Sequence, residues 1–212
     1  VHPFEAIYGD SEPHLPLSTV EEIFADLKET IVPLVDEIRA ADELPTPFDG
    51  AYDEDAQYAL SEDVLDRLGY DWARGRLDTS AHPFTFGTQF DCRVTTRFDE
   101  SDPLAGLTST MHEFGHATYN LGLPQDRYAT PLGESGSHGV HESQSRFFEN
   151  HVGRTRPFWE GFVGVANDRL GSDASAEAAY AAVNRVKPDN VIRVEADELT
   201  YHLHILVRFE TE

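Results

Sequence analysis

Residues 110–122 read TMHEFGHATYNLG, and they decide how the chain folds around its chemistry. Apolar residues from Leu104 to Leu121 recur at helical spacing, and Gly122 with Pro124 supplies the stop. On such a helix His112 and His116 lie four apart and share a face, so both imidazoles can reach one ion. Glu113 stands one step round, near that ion without being aimed at it. Two imidazole ligands with a carboxylate poised over a metal-bound water form the arrangement of a zinc hydrolase, in which Glu113 takes the water's proton as general base. The small residues Gly115 and Ala117 let a second element approach this helix closely.

A catalytic zinc also needs a third protein ligand and an open fourth position. The extended HExxHxxGxxH pattern is not met, because Tyr119 and Gly122 stand where its glycine and third histidine would be. The third ligand therefore comes from elsewhere, and GVHESQSRFFEN, residues 139–150, is the best source. Glu142 lies 26 residues past His116, enough for a loop from Pro124 to Gly139 and a returning helix. On the first turn of that helix it could complete a His-His-Glu set. It could equally be an acid favoured by the helix dipole. His141 and His138 are rival ligands, less rigidly placed.

Outward from this centre the pattern is mainly α with a small β element. Val20, Ile23, Phe24, Leu27, Ile31, Leu34, Val35 and Ile38 predict a helix from Ser18 to about Ala41, with Thr19 and Glu22 as a capping box and Pro33 as a kink or break. Residues 43–55 read as loop. One helix follows from Glu54 to Leu60 and another starts at Ser61. From His82 to Phe98, HPFTFGTQFDCRVTTRF is rich in aromatic and β-branched residues and predicts two short strands. Further helices are expected over Glu142–Val152, Phe158–Leu170, Ala174–Val186 and about Asn190–Phe209. No repeat or flexible linker stands out, so residues 1–212 read as one catalytic region without an internal boundary.

The chain has 212 residues, of which 40% are hydrophobic, enough for a sizeable core. No apolar run has transmembrane length, and the first residues, VHPFEAIYGD, do not form a signal peptide, so a cytoplasmic protein is expected. The single Cys92 excludes an internal disulfide framework; without an evident base it reads as a buried small residue. Acids outnumber bases 39 to 16, the formal net charge is -23, and Lys28 and Lys187 are the only lysines. Such a field repels nucleic acid and anionic membrane, so neither is an expected partner. It also strains the compact state unless salt screens it, which points to a halophile's protein.

Five motifs in order resemble the carboxypeptidase Taq family of HExxH zinc metallocarboxypeptidases. They are His82-Pro83-Phe84, Asp91-Cys92-Arg93-Val94-Thr95, the HExxH of His112 to His116, His141-Glu142-Ser143-Gln144, and Ile192-Arg193-Val194-Glu195-Ala196-Asp197. The resemblance implies a mostly helical, elongated, zincin-like fold with a small sheet edging the active-site groove, usually as a homodimer. It implies removal of single residues from peptides with a free C-terminus. It implies a metal held by His112, His116 and Glu142, with Glu113 as general base. The metal would be Zn2+, with Co2+ or Mn2+ also compatible with such ligands. Recognition of an α-carboxylate wants a guanidinium fork. Arg193 is the candidate for that contact, Arg93 for organising the site beside the sheet, and His82 for binding substrate or the oxyanion. Each also has a plain structural reading: ion pairs with Asp91 or Asp197 for the arginines, a hydrogen-bonded strand start for His82.

Members of that family are about twice this length. The chain lacks a long N-terminal helical segment and ends before a G-x-x-Q-D-x-H-W motif, so it reads as a piece of a longer protein or a short relative. Two functions stay open: a carboxypeptidase, or a truncated non-catalytic relative that keeps a structural metal site and serves as an interaction or assembly module. Retention of Glu113, which metal binding does not need, favours the first. An endopeptidase would leave the carboxylate-binding arginines idle.

Overall fold

The structure is a computed structural model and describes residues 3–41 and 47–211, the side chain of Val194 excepted. In chain order it contains helices α1 (Pro3–Ser11), α2 (Leu17–Arg39) and α3 (Glu54–Leu68), then strands β1 (Leu77–Thr79), β2 (Phe84–Gly87) and β3 (Cys92–Thr96). Helices α4 (Pro103–Gly122), α5 (His138–Arg146), α6 (Arg156–Leu170), α7 (Ala176–Val183) and α8 (Glu198–Thr211) follow. The mainly helical class with one small sheet is the class the periodicity predicts. The chain divides into two compact units, Val1–Pro45 with Asn184–Glu212, and Thr46–Val183, at boundaries that no composition shift marks.

In the first unit, Phe209 of α8 meets Phe24 of α2 and Phe4 of α1 edge to face, with centroids 4.9 and 5.7 Å away. Helix α2 starts at Leu17 behind Pro16, so Thr19 sits inside the first turn and the expected capping box does not form. Pro33 stands within one continuous helix rather than dividing it. Helix α8 is shorter than the predicted Asn190–Phe209. A 3-10 turn over Arg193–Glu195 comes first, and Asp197 then starts α8 by accepting from the amides of Leu199 and Thr200, at 3.0 and 2.9 Å. Of the expected loop at 43–55, residues 43–46 lie outside the described residues.

In the second unit, α3 runs unbroken where two helices are predicted. Ser61, read as a helix start, is buried in mid-helix and accepts a hydrogen bond from Thr110 Oγ1 at 3.1 Å. Cross-helix satisfaction of that hydroxyl removes the competition that makes serine favour caps. Gly69, at φ 84°, ends the helix in the left-handed conformation that glycine adopts freely.

The sheet has the order β1-β3-β2, with β1 parallel and β2 antiparallel to β3. Along β3, Cys92, Val94 and Thr96 turn inward and Arg93 and Thr95 turn the other way, the period of two that a strand imposes. Cys92, Val94 and Leu77 pack with Phe114 and Ala117 of α4 and with Leu65 and Tyr70. A larger core gathers Leu60 and Val64 of α3, Leu107 and Met111 of α4, and Trp159, Phe162 and Ala166 of α6. Helix α4 thus lies between both cores and is buried on most of its circumference, which fixes the direction of every side chain it carries. Asp102 caps it, accepting from the Ala105 amide at 3.2 Å, and Pro103 occupies its first turn. No described helix is long and apolar enough to cross a membrane.

Candidate metal centre

Three ligand atoms, one each from His112, His116 and Glu142, lie within 4.8 Å of one another. The spacing of α4 supplies the two histidines, and α5 supplies the glutamate. The two helices approach closely because residue 115 is glycine. A Cβ built there would fall 2.5 Å from the Ser145 Cα of α5 and closer still to the Gln144 carbonyl oxygen. Helix α5 begins where Ser137 caps it by accepting from the Val140 amide at 3.2 Å, so Glu142 stands near its start, as expected. The predicted helix at Glu142–Val152 begins earlier, at His138, and its second half is a wider π-turn over Phe147–Val152. Such turns recur at functional sites because they redirect side chains.

That redirection brings Glu149 onto His112. Glu149 Oε2 lies 2.8 Å from His112 Nδ1 while Glu142 Oε2 lies 3.7 Å from His112 Nε2, so two carboxylates flank one imidazole. Arg146 bridges them, with Nε 3.2 Å from Glu142 Oε1 and Nη1 3.0 Å from Glu149 Oε2, and Arg154 adds a contact to Glu149 Oε1 at 3.4 Å. Burial disfavours the charged form of His112, but the hydrogen bond and charge of Glu149, joined by Glu142 and Glu113, raise its pKa overall. Burial likewise pushes Glu142 up. The hydrogen bond to His116 and the charges of His112 and Arg146 outweigh it and hold the carboxyl down at about 2. Burial also opposes ionisation of Glu149, and His112, Arg146 and Arg154 together keep it below the ordinary range.

Behind His116 the partners are neutral. His116 Nδ1 lies 2.6 Å from His141 Nδ1, and His141 Nε2 lies 2.9 Å from Asn120 Oδ1. Burial and the neighbouring His116 lower the pKa of His141. His141, a rival ligand by sequence, therefore stands outside the ligand triad and against the back of His116. His138 is not part of the triad either; it is the exposed first residue of α5.

The donors suit a divalent cation. A carboxylate only accepts, so His112 offers Nδ1–H to Glu149, and its Nε2 is the nitrogen that faces Glu142. His116 Nε2 and Glu142 Oε2 converge at 3.3 Å, a distance at which two acceptors need a cation or a proton between them. Two imidazole nitrogens with one carboxylate oxygen form a set used by catalytic zinc sites.

Glu113 is buried at 6% exposure beside these groups and is not in the triad, as its position one step round α4 requires. Thr85 of β2 reaches it: Thr85 Oγ1 is 2.7 Å from Glu113 Oε2 and 2.9 Å from the Glu113 carbonyl oxygen. The remaining sequence candidates make contacts of their own. Arg93, on the outward side of β3, makes a two-pronged bond to Asp91 with both contacts at 2.8 Å. His82 is exposed ahead of β2, and its carbonyl accepts from Ser80 Oγ at 2.7 Å. Arg193 belongs to the other unit, where it donates to Tyr201 Oη at 3.1 Å and lies over that ring. Asp197, its suggested ion-pair partner, caps α8.

Glu149, Arg146, Asn120 and Thr85 are the residues that sequence reasoning missed. Positions 142, 146 and 149 follow helical spacing, and Asn120 repeats the four-residue step of His112 and His116, so those signals were present. Thr85 had none, because only strand pairing brings β2 to α4.

The family model described as "Carboxypeptidase Taq (M32) metallopeptidase" matches residues 1–212. Carboxypeptidase 1 of Bacillus subtilis (strain 168) is 42% identical over 217 residues, covering 100% of this chain and 43% of its own length. Thermostable carboxypeptidase 1 of Thermus thermophilus is 44% identical, covering 99% of this chain and 42% of its own. Among solved structures, the M32 carboxypeptidase of Deinococcus radiodurans R1 superposes with a TM-score of 0.89 at 42% identity, over 95% of this chain and 41% of that one. The apo-Mg carboxypeptidase of Pyrococcus furiosus gives 0.90 at 38% identity, over 99% and 43%. This chain thus spans less than half the length of the relatives it matches. With the metallopeptidase motif and a candidate ligand triad on adjacent helices, the chain belongs to the carboxypeptidase Taq family of metallopeptidases.

Proposed function

We propose that this chain carries the hydrolytic centre of a metal-dependent carboxypeptidase acting on the last peptide bond of peptides with a free C-terminus. The convergence of His112, His116 and Glu142 within 4.8 Å carries the reading, and the names of its relatives support it. His112 and His116 would hold the metal through Nε2 and Glu142 through a carboxylate oxygen. Zinc is the proposed ion, with cobalt or manganese compatible with the same donors. A divalent cation held by these residues would supply Lewis acidity toward the scissile carbonyl and the water. Glu113 removes a proton from the attacking water and returns it to the departing amide nitrogen. The Thr85 hydroxyl, 2.7 Å from Glu113 Oε2, orients that carboxylate. Arg193 is the proposed partner of the substrate carboxylate, with Arg93 and His82 in supporting contacts; the motif resemblance supports these roles.

The test is release of the C-terminal residue from a blocked dipeptide in molar KCl, with and without a chelator, beside the same peptide amidated. Release that needs both the metal and the free carboxylate is expected. Cleavage of the amidated peptide at the same rate would point to an endopeptidase. A folded, zinc-loaded sample that releases nothing would favour the second reading, a structural metal site. The chain's coverage of less than half of its relatives keeps that reading open to test.

A further inference from the structure

The two histidines of the triad are backed by different chemistry. His112 leans on a carboxylate clamped by two arginines, whereas His116 leans on a second imidazole and an amide. Asn120 settles the proton positions along the second chain. Its Nδ2 donates to the Sγ of the buried Cys92 at 3.6 Å, so its Oδ1 is the atom that faces His141 Nε2. A carbonyl oxygen only accepts, so His141 carries its proton on Nε2. A neutral imidazole has one N–H, so His141 Nδ1 is bare and must accept. His116 Nδ1, 2.6 Å away, must then donate, and the lone pair of His116 is confined to Nε2, the nitrogen 3.3 Å from Glu142 Oε2.

We propose that His141 and Asn120 are positioning residues that fix the tautomer and ring direction of His116, presetting Nε2 as its metal-binding atom. This rests on the reading of His112, His116 and Glu142 as ligands. The order of the chain explains why an imidazole can serve where a carboxylate is usual. Asn120 sits one helical turn beyond His116 on α4, and His141 immediately precedes the ligand Glu142 on α5. A single close approach of the two helices, set at Gly115, therefore places the ligand and the support of its neighbour together. Cys92 anchors the far end from β3, which gives this buried thiol a structural use as an acceptor.

The proposal is tested by zinc and cobalt(II) titration of the intact chain, with long-range 1H–15N correlation of its histidines. Wild type is expected to bind one equivalent of zinc, and to show His116 protonated on Nδ1 and His141 on Nε2. His141→Leu removes the acceptor and should weaken zinc binding roughly 10- to 100-fold, the usual effect of losing such a partner, and alter the cobalt(II) absorption bands. His141→Gln, which offers an amide oxygen to His116 Nδ1, should recover most of the affinity. Asn120→Leu leaves His141 in place but frees its tautomer, and should give a smaller loss; it serves if His141→Leu does not fold. Unchanged zinc affinity in folded His141→Leu, or His116 protonated on Nε2 in wild type, would overturn the proposal while leaving the triad standing. Folded wild type that binds neither zinc nor cobalt would overturn the triad, and this inference with it.

Discussion

Glu113 and Glu142 are both carboxylates set against the same pair of imidazoles, yet their surroundings divide the work. Glu142 is held ionised by His116, His112 and Arg146, with a pKa of about 2, and its oxygen points between the two rings. It is suited to ligation and poorly suited to exchanging protons near pH 7. Glu113 is outside the triad and is held through the Thr85 hydroxyl. The expected consequence is a clean separation of roles. Glu113→Gln should bind zinc with unchanged stoichiometry and lose roughly 10²- to 10⁴-fold in kcat on a blocked dipeptide. Glu142→Ala should lose the stoichiometric metal itself, read by zinc titration. Loss of zinc from Glu113→Gln would place that residue among the ligands instead. Glu113 could be placed from the sequence, because helix geometry alone fixes it relative to His112 and His116. Glu142 was preferred to His141 on spacing and motif resemblance; the two are adjacent, and it is the docking of α5 that sets Glu142, and not His141, in the candidate triad.

Between elements, the centre depends on how closely α4 and α5 approach. Gly115→Ala should therefore act twice. A methyl group pressed against the α5 backbone should destabilise the unit by about 1–3 kcal/mol, read in urea. It should also shift Glu142 away from the histidines and weaken zinc binding. Full zinc affinity in this variant would show that α5 is free to adjust. A different economy operates at α8, where Asp197 is buried and accepts from the Lys187 amide, the amides of Leu199 and Thr200, and the Thr200 hydroxyl. Burial pushes its pKa up, but those hydrogen bonds outweigh burial and depress it. A depressed folded pKa stabilises above the unfolded value of ~3.9, and that stability disappears as pH falls through the folded pKa. Asp197→Asn should flatten the loss of urea resistance below about pH 4, and Asp197→Ala should cost about 0.5–2 kcal/mol at pH 7. An unchanged acid limb in Asp197→Asn would remove Asp197 as its source. These elements mark the limit of pattern reading. The helices were visible from their apolar period, but the local start signal at Ser61 gave way to its buried contact with Thr110, and the helices near Thr19 and Asn190 begin elsewhere than expected. Strand β1 is only three residues long and left no period to detect.

For the whole molecule the dominant physical fact is charge. A net -23 on 212 residues sets 39 acids against 16 lysines and arginines, and the ion pairs formed, such as Lys28–Glu210 at 2.6 Å and Arg169–Asp63 at 2.6 Å, use up scarce cations. Exposed pairs of this kind contribute little to stability and weaken in salt. The repulsion they leave uncompensated acts over the Debye length, about 10 Å at 0.1 M salt and about 3 Å at 1 M. Raising salt therefore removes more repulsion than attraction from this surface, and we propose that the protein is adapted to molar salt. The metal centre should behave differently. Glu149 and Arg154 have only 13% and 10% of their side chains exposed, so salt has little access to the contacts behind His112. Metal-free protein should gain melting temperature steadily from 0.1 to 2 M KCl, and NaCl should do the same, since the effect is screening. Zinc affinity corrected for chloride binding should change far less over the same range. A melting temperature highest at 0.1 M and falling with KCl would show that the ion pairs outweigh the repulsion, and would remove the case for a halophile's protein.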